Sequence, residues 1–258
     1  MQRYFIAPSQ FDADRVTIDG DDAHHLARVM RIQTGGRIVV CDGERREALA
    51  EVSEIGADRV VARIVEERPA SAREPRWRVT IAQALPKGDK LETVIQKGTE
   101  LGAYAFVPFE AARTVVRYDN RKEEKRRSRW TRIAKEAAEQ AHRGRLPQVE
   151  EVQSWGALLR RIPSCDLALL CYEAQGGAPE RGIGAALRRF GAQPRAAGQA
   201  DILVIVGPEG GFTPEEAEQA EAAGAVSVGL GARILRTETA GMAALTCLMY
   251  ESGEMGGA

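Results

Sequence analysis

The chain has 258 residues, 44% apolar and 28% charged, with 36 Lys and Arg against 37 Asp and Glu and a formal charge of −1. This composition excludes wholesale disorder and leaves room for one large domain or two modest ones. No apolar run reaches membrane-spanning length, and residues 1–8 lack the apolar stretch of a secretory signal. Four scattered cysteines (Cys41, Cys165, Cys171, Cys247) form no Cys-x-x-Cys pair, which speaks against a zinc ribbon and a disulfide framework. The expectation is a cytoplasmic protein with no metal and no membrane association.

Residues 1–72 read as a small β-rich domain. A helix is expected over 22–31, entered by Asp21 and Asp22, with Leu26, Val29 and Met30 on one face. His24, Arg28 and Arg31, at i, i+4 and i+7, fall on another. Strands are expected at 37–41, 48–55 and 59–65, separated by Asp42-Gly43 and by Gly56-Ala57-Asp58. Residues 66–75 are charged, contain two prolines and show no periodicity, as a linker would.

From Trp77 the pattern changes to alternating strands and helices, the signature of an α/β domain over 73–258. The expected elements are strand 78–85, helix 89–101, strand 105–108 and a long amphipathic helix over 123–142. Asp89 and Glu92 are spaced as a capping box. Trp130, Ile133, Ala134, Ala137, Ala138 and Ala141 form the inner face of the long helix. Strands 167–172 and 202–206, helix 214–223, strand 226–229 and a final helix from about 237 to 250 follow. Residues 174–200 read as a helix flanked by loops.

Charge is unevenly placed. Residues 113–145 carry Arg117, Arg121, Lys122, Lys125, Arg126, Arg127, Arg129 and Arg132, whereas 209–221 are acidic. Such clustering makes an electrostatic footprint for RNA phosphates, and a solvated helix face is the alternative reading.

Two glycine-rich turns follow apolar strands. The first is Val206-Gly207-Pro208-Glu209-Gly210-Gly211-Phe212, leading into Thr213-Pro214-Glu215-Glu216, a helix start with a Thr cap and Pro at the first position. It has no Gly-Lys-Ser/Thr, and Glu209 would repel phosphate, so it is not a nucleotide P-loop. The second runs from Gly229 to Ala240 and sets Arg236 beside a helix N-terminus, suited to a carboxylate or a polarised carbonyl oxygen. Leu230, Ile234 and Leu235 offer an apolar slot for a planar ring. Together the turns suit a small adenine-bearing ligand without phosphates.

Gly207-Pro208-Glu209-Gly210-Gly211-Phe212 and Leu230-Gly231-x-Arg233-Ile234-Leu235-Arg236-x-Glu238-Thr239-Ala240 resemble the cofactor motifs of SPOUT-class methyltransferases. More narrowly, the whole chain is similar to the bacterial family that methylates N3 of a uridine in 16S ribosomal RNA. His24-His25-Leu26-x-Arg28-Val29-x-Arg31, Gln96 to Gly102, and Glu136 to Gln140 with Arg143 and Pro147 carry the likeness further. The resemblance implies an N-terminal PUA-like RNA-binding β-barrel and an α/β domain with a trefoil knot, a feature otherwise almost absent from proteins. It also implies S-adenosylmethionine as cofactor, the small ribosomal subunit as partner and a homodimer. Carried over, the cofactor site would use Leu170, Cys171 and Tyr172; Val206, Gly207, Pro208, Gly210 and Gly211; and Leu230, Gly231, Ile234 and Leu235. Thr239 and Ala240 would close it.

Methylation at uridine N3 requires loss of its proton, and the developing charge is shared with O2 and O4. Arg236 is the candidate donor to those oxygens, with a salt bridge to Glu238 or to a dimer partner as the alternative. Glu209 is the candidate base if burial raises its pKa; a structural role, with water taking the proton, is the other reading. His24, Arg28 and Arg31, and with them Lys97, Arg113, Arg129 and Arg143, are candidate RNA contacts. A non-catalytic RNA-binding assembly factor would not need both turns. A SPOUT enzyme acting on a ribose hydroxyl or a transfer-RNA guanine would share them but lack the N-terminal arrangement.

Overall fold

The computed structural model describes residues 1–44, 46–69, 74–175, 177, 179–191 and 198–256. Parts of the expected linker (70–73) and of the loose stretch (176, 178 and 192–197) lie outside these. The chain divides into two compact units, residues 1–74 with 138–146, and residues 75–137 with 147–258.

The smaller unit is a five-stranded sheet of β1 (Arg3–Phe5), β2 (Arg15–Asp19), β3 (Arg37–Cys41), β4 (Arg46–Ile55) and β5 (Arg59–Pro69), in the order β1-β3-β4-β5-β2. β1 runs parallel to β3; the other pairs are antiparallel. Period-2 alternation sends Val16, Ile18, Ile38, Val40, Ala48, Ala50, Val60 and Ala62 to one side, where they enclose Leu26. Register shifts at Leu49/Ala50 and Val52/Glu54 bend the β4–β5 ribbon. β1, with three residues, is too short to announce itself by periodicity, and β2 is not among the expected strands. β5 continues to Pro69, so it takes in the first residues expected to be linker.

The helical segment begins as α1 (Gly20–His24) and changes to a π-helical turn over His25–Val29. Arg31 lies beyond it with φ 50°. The alignment of His24, Arg28 and Arg31 on one α-helical face therefore does not hold, because the wider π turn shifts the phase and the helix stops first. Ala138 and Leu146 pack with Phe5, Val39, Cys41 and Leu49, and Glu139 accepts the Phe5 N–H (3.0 Å). These contacts place the segment from 138 to 146 with the smaller unit.

The larger unit contains β6 (Trp77–Ala84), α2 (Lys90–Glu100), β7 (Ala105–Glu110), α3 (Asn120–Gln140, residues to 137 in this unit), β8 (Gln148–Val149) and β9 (Gln153–Ser154). It continues with α4 (Trp155–Arg161), β10 (Leu167–Cys171), α5 (Ile183–Gly191), β11 (Ala200–Val206), α6 (Pro214–Ala222), β12 (Val226–Val228) and α7 (Thr237–Glu251). The strands form one parallel sheet in the order β12-β10-β11-β6-β7-β8, with β9 also on β7. Both faces are buried, as parallel sheets require. Val79, Ile81, Ile202 and Val204 pack under α2 and α7, and Ala82, Leu203, Ile205 and Leu170 under α4 and α6. The expected capping box on α2 is absent. Asp89 makes no side-chain cap, and Glu92 is held by Arg129 (2.7 Å).

The carboxyl ends of β10, β11 and β12 lie side by side and each leads into a turn, the place where open parallel sheets bind ligands.

Candidate active site

β11 ends at Val206, and the next six residues fold back as a tight turn. Gly211 has φ 66°, which favours glycine, and donates to Pro208 O (2.9 Å). Phe212 anchors the turn, buried in parallel stacking on Phe109 (6.4 Å between centroids) and tilted against Trp155 (5.7 Å). A Cβ at Gly207 would stand 3.1 Å from the Phe212 ring, a tight contact that the ring would have to yield to. Thr213 and Glu216 form the capping box of α6. Glu216 also accepts the Ala112 N–H (2.8 Å), so this member of the acidic run is structural.

The second turn joins β12 to α7 and makes Arg236 the N-cap residue, whose carbonyl accepts from Thr239 N (2.9 Å) and Ala240 N (3.0 Å). Between the two turns lies a cavity of about 610 Å³, within the range of about 300–1,000 Å³ typical of small-molecule sites. Its wall includes Cys171, Tyr172, Val206, Gly207, Pro208, Glu209, Gly210, Gly211, Leu230, Gly231, Ile234, Leu235, Arg236 and Ala240. Ala232 and Arg233, within the second turn, and Glu173, Val228 and Thr237, which were not singled out as ligand contacts, complete it. Leu170 is buried in the sheet core, and Thr239 is exposed on α7; neither reaches the wall.

The charged groups on this wall are two carboxylates, Glu173 and Glu209, and two guanidinium groups, Arg233 and Arg236. Burial pushes the Cys171 thiol up to about 12, so it stays protonated and is no nucleophile at neutral pH. Glu209 does not meet the condition for a base. Partial burial raises its pKa, but hydrogen bonds from Lys90 Nζ (2.6 Å) and Lys87 N (3.0 Å), with the Lys90 charge, hold it below the usual carboxylate value. Its role is to tie the first turn to the segment before α2. Arg236 is exposed and makes no side-chain hydrogen bond or ion pair among the described residues. Glu238, its suggested partner, is 3.9 Å from Lys90 Nζ instead.

The expected RNA contacts fare unequally. His24, Arg28 and Arg31 are exposed on the smaller unit. His25, which was not singled out, has its Nδ1 bound to the Tyr4 hydroxyl (2.8 Å). Lys97 and Arg129 are exposed but paired with Glu100 (2.8 Å) and Glu92 (2.7 Å). Arg143 is buried with its guanidinium against Glu74, so it is a structural residue and not a phosphate contact. Arg113 belongs to the cavity's first turn, donating to Gly210 O (2.7 Å) and Phe212 O (3.2 Å). Much of the basic run on α3 is likewise paired: Arg126 lies near Asp89 and Glu92, and Arg127 on Glu151.

Among the described residues, no group of His, Cys, Asp or Glu is arranged to hold a metal ion, and no helix is long and apolar enough to cross a membrane.

Comparison with known proteins gives this geometry its context. Residues 72–249 match the RNA methyltransferase domain family, and residues 18–65 the RNA methyltransferase PUA domain family. The chain is 42% identical to the ribosomal RNA small subunit methyltransferase E of Bacillus subtilis, over 98% of this chain and 97% of that protein. Its identity to the protein of the same name from Mycobacterium bovis is 37%, over 88% and 83%. The crystal structure of the Neisseria gonorrhoeae ribosomal RNA small subunit methyltransferase E, bound to S-adenosylmethionine, superposes with a TM-score of 0.81 at 28% identity. That match covers 96% of this chain and 97% of the other. The fold is therefore the SPOUT α/β knot domain together with a PUA-like β-barrel domain. With a family model matched over residues 72–249 and likeness to its relatives over nearly its whole length, the chain belongs to the ribosomal RNA small subunit methyltransferase E family.

Proposed function

We propose that this protein transfers a methyl group from S-adenosylmethionine to N3 of a uridine in 16S ribosomal RNA, as a cytoplasmic homodimer acting on the small ribosomal subunit. The observation that carries the reading is the cavity between the two glycine-rich turns, with Arg236 on its wall. The residues fit the cofactor. Among the described residues no lysine lines the cavity, and the wall offers both carboxylates and guanidinium groups to a zwitterionic ligand. The wall formed by Cys171, Tyr172, Gly207 to Gly211 and Leu230 to Leu235 would hold it, with Ala240 beside them.

S-adenosylmethionine, when bound, supplies an electrophilic methyl group on a sulfonium. The chain's part is to orient the uracil ring and stabilise its N3 anion. Arg236, unpaired among the described residues, donates to the ring oxygen on which charge accumulates. Since Lys90 engages Glu209, the N3 proton passes to water. Exposed His24, Arg28 and Arg31 contact the RNA from the smaller unit, in which residues 1–72 form the PUA-like domain. The dimer reading is supported by α7, which carries no charged residue between Glu238 and Glu251 and leaves Tyr250 57% exposed.

The test is incubation with radiolabelled S-adenosylmethionine and small subunits from a strain lacking the equivalent enzyme, followed by digestion of the RNA to nucleosides. Label in 3-methyluridine is the expected result. Label in another nucleoside removes the uridine assignment, and no label with no cofactor binding favours a non-catalytic RNA-binding factor.

A further inference from the structure

Gln83, on β6, is 1% exposed and does not reach the cavity wall, yet it bonds to two residues that do. Its Nε2 donates to Thr237 Oγ1 (2.8 Å) and to Ala84 O (3.0 Å), and lies 3.4 Å from Gly207 O. Thr237 Oγ1 in turn donates to Gly207 O (2.6 Å). Two carbonyl oxygens surround the amide end of Gln83, so that end must be the NH2, and Thr237 must use its own proton on Gly207. The other end, Gln83 Oε1, is buried with no hydrogen-bond partner among the described residues. A Cβ at Gly241 would stand 4.0 Å from it. A buried acceptor left unbonded is costly and calls for a reason.

We infer that Gln83 and Thr237 are positioning residues for the cofactor site. Their relay fixes the Gly207 carbonyl and thereby locks the first turn to the helix start that presents Arg236. This rests on the assignment of the cavity to S-adenosylmethionine. The two turns are 30 residues apart in sequence and Gln83 a further 124 from the nearer one, and the relay joins all three directly by hydrogen bonds. With the relay in place, the Gly207 oxygen is taken by buried donors and withheld from the ligand, and the turn is organised before the ligand arrives. Arg236 directly precedes Thr237, so the same relay sets where its guanidinium starts from.

The experiment is calorimetric titration of the full-length protein with S-adenosylmethionine, using wild type, Thr237→Val, Thr237→Ser, Gln83→Met and the Val/Met double variant. Removing one buried hydrogen bond of the relay weakens binding by about tenfold. Ser, which keeps the hydroxyl, restores binding to within about threefold of wild type. The double variant is no worse than the weaker single one, since both act through the same carbonyl. If Thr237→Val and Gln83→Met bind as wild type does while only their melting temperatures fall, the relay is merely structural and the inference fails, with the cavity assignment intact. Absence of binding by wild type overturns the assignment and the inference with it. Should the variants fail to fold, amide exchange of the wild-type 207–211 segment decides. Slow exchange in the free protein supports the inference; exchange that becomes slow only after ligand addition refutes it.

Discussion

Replacing Arg113 by Ala separates two roles that its sequence position leaves confounded. Its guanidinium spans Gly210 O and Phe212 O, at 2.7 and 3.2 Å, and its stem lies against the turn: a Cβ on Gly210 would stand 3.2 Å from Arg113 Cβ. A hydrogen bond from a charged group is worth about 1.5–3 kcal/mol when sheltered. The side chain is exposed and the second bond is long, so the pair together contributes about 1–2 kcal/mol. Losing it lowers the fraction of molecules whose turn is ready to bind, and the apparent Kd for S-adenosylmethionine rises about 5- to 30-fold. Calorimetry of the variant measures that change, and RNA affinity across a salt series measures the other role. A residue that binds phosphate lowers the slope of log K against log salt by about 0.7–0.9 when removed. The structure predicts an unchanged slope. Unchanged cofactor affinity with a slope reduced by about that amount would refute the reasoning and return Arg113 to the RNA contacts.

Three further outcomes are expected. Glu209 has a depressed pKa, so its tie to Lys90 is complete at neutral pH and is lost only as acidification passes below the usual carboxylate range, about pH 4. Glu209→Gln should weaken cofactor binding a few-fold and leave the pH–rate profile between about pH 6 and 9 unchanged in shape; a drop in kcat of about 10²–10⁴ would mark it as a base after all. Arg143→Ala leaves the largely buried Glu74 carboxylate without its cation, at a cost of about 3–5 kcal/mol, and lowers the melting transition by about 10 °C. A melting temperature within a degree or two of wild type would contradict the structural role. Tyr250→Asp places a charge on the uncharged face of α7, and sedimentation should then show monomer where wild type shows dimer; a variant that sediments as dimer removes α7 from the interface.

The parts legible in the sequence share one property: their signals are local. The strand-and-turn patterns of β6, β10 and β11 and the capped start of α6 are complete within a few residues, and the structure has them within a residue or two. The two turns read as ligand-binding because their glycines and flanking strands are contiguous. β1, with three residues, and α4, with seven, have too little length to show a period. The π turn at His25–Val29 breaks the 3.6-residue phase on which the reading of His24, Arg28 and Arg31 rested. The structural ties of Arg113 and Arg143 escaped the sequence for a different reason. Their partners lie 97 and 69 residues away, and no local pattern tells a solvated arginine from one committed to a distant carbonyl or carboxylate. The same holds for Arg126, Arg127 and Arg129 of α3, which pair with acids from elsewhere in the fold, and for Gln83, whose importance exists only once Thr237 and Gly207 are folded beside it.

The most direct measurement is single-turnover methyl transfer to small ribosomal subunits by wild type and Arg236→Ala, with the nucleoside product identified and cofactor Kd measured in parallel. If the cavity holds the methyl donor and Arg236 stabilises the uracil anion, wild type yields 3-methyluridine. The variant then loses about 10²–10³ in rate, while its cofactor Kd stays within a few-fold of wild type. Full activity in the variant, or a product other than 3-methyluridine from wild type, would contradict the account.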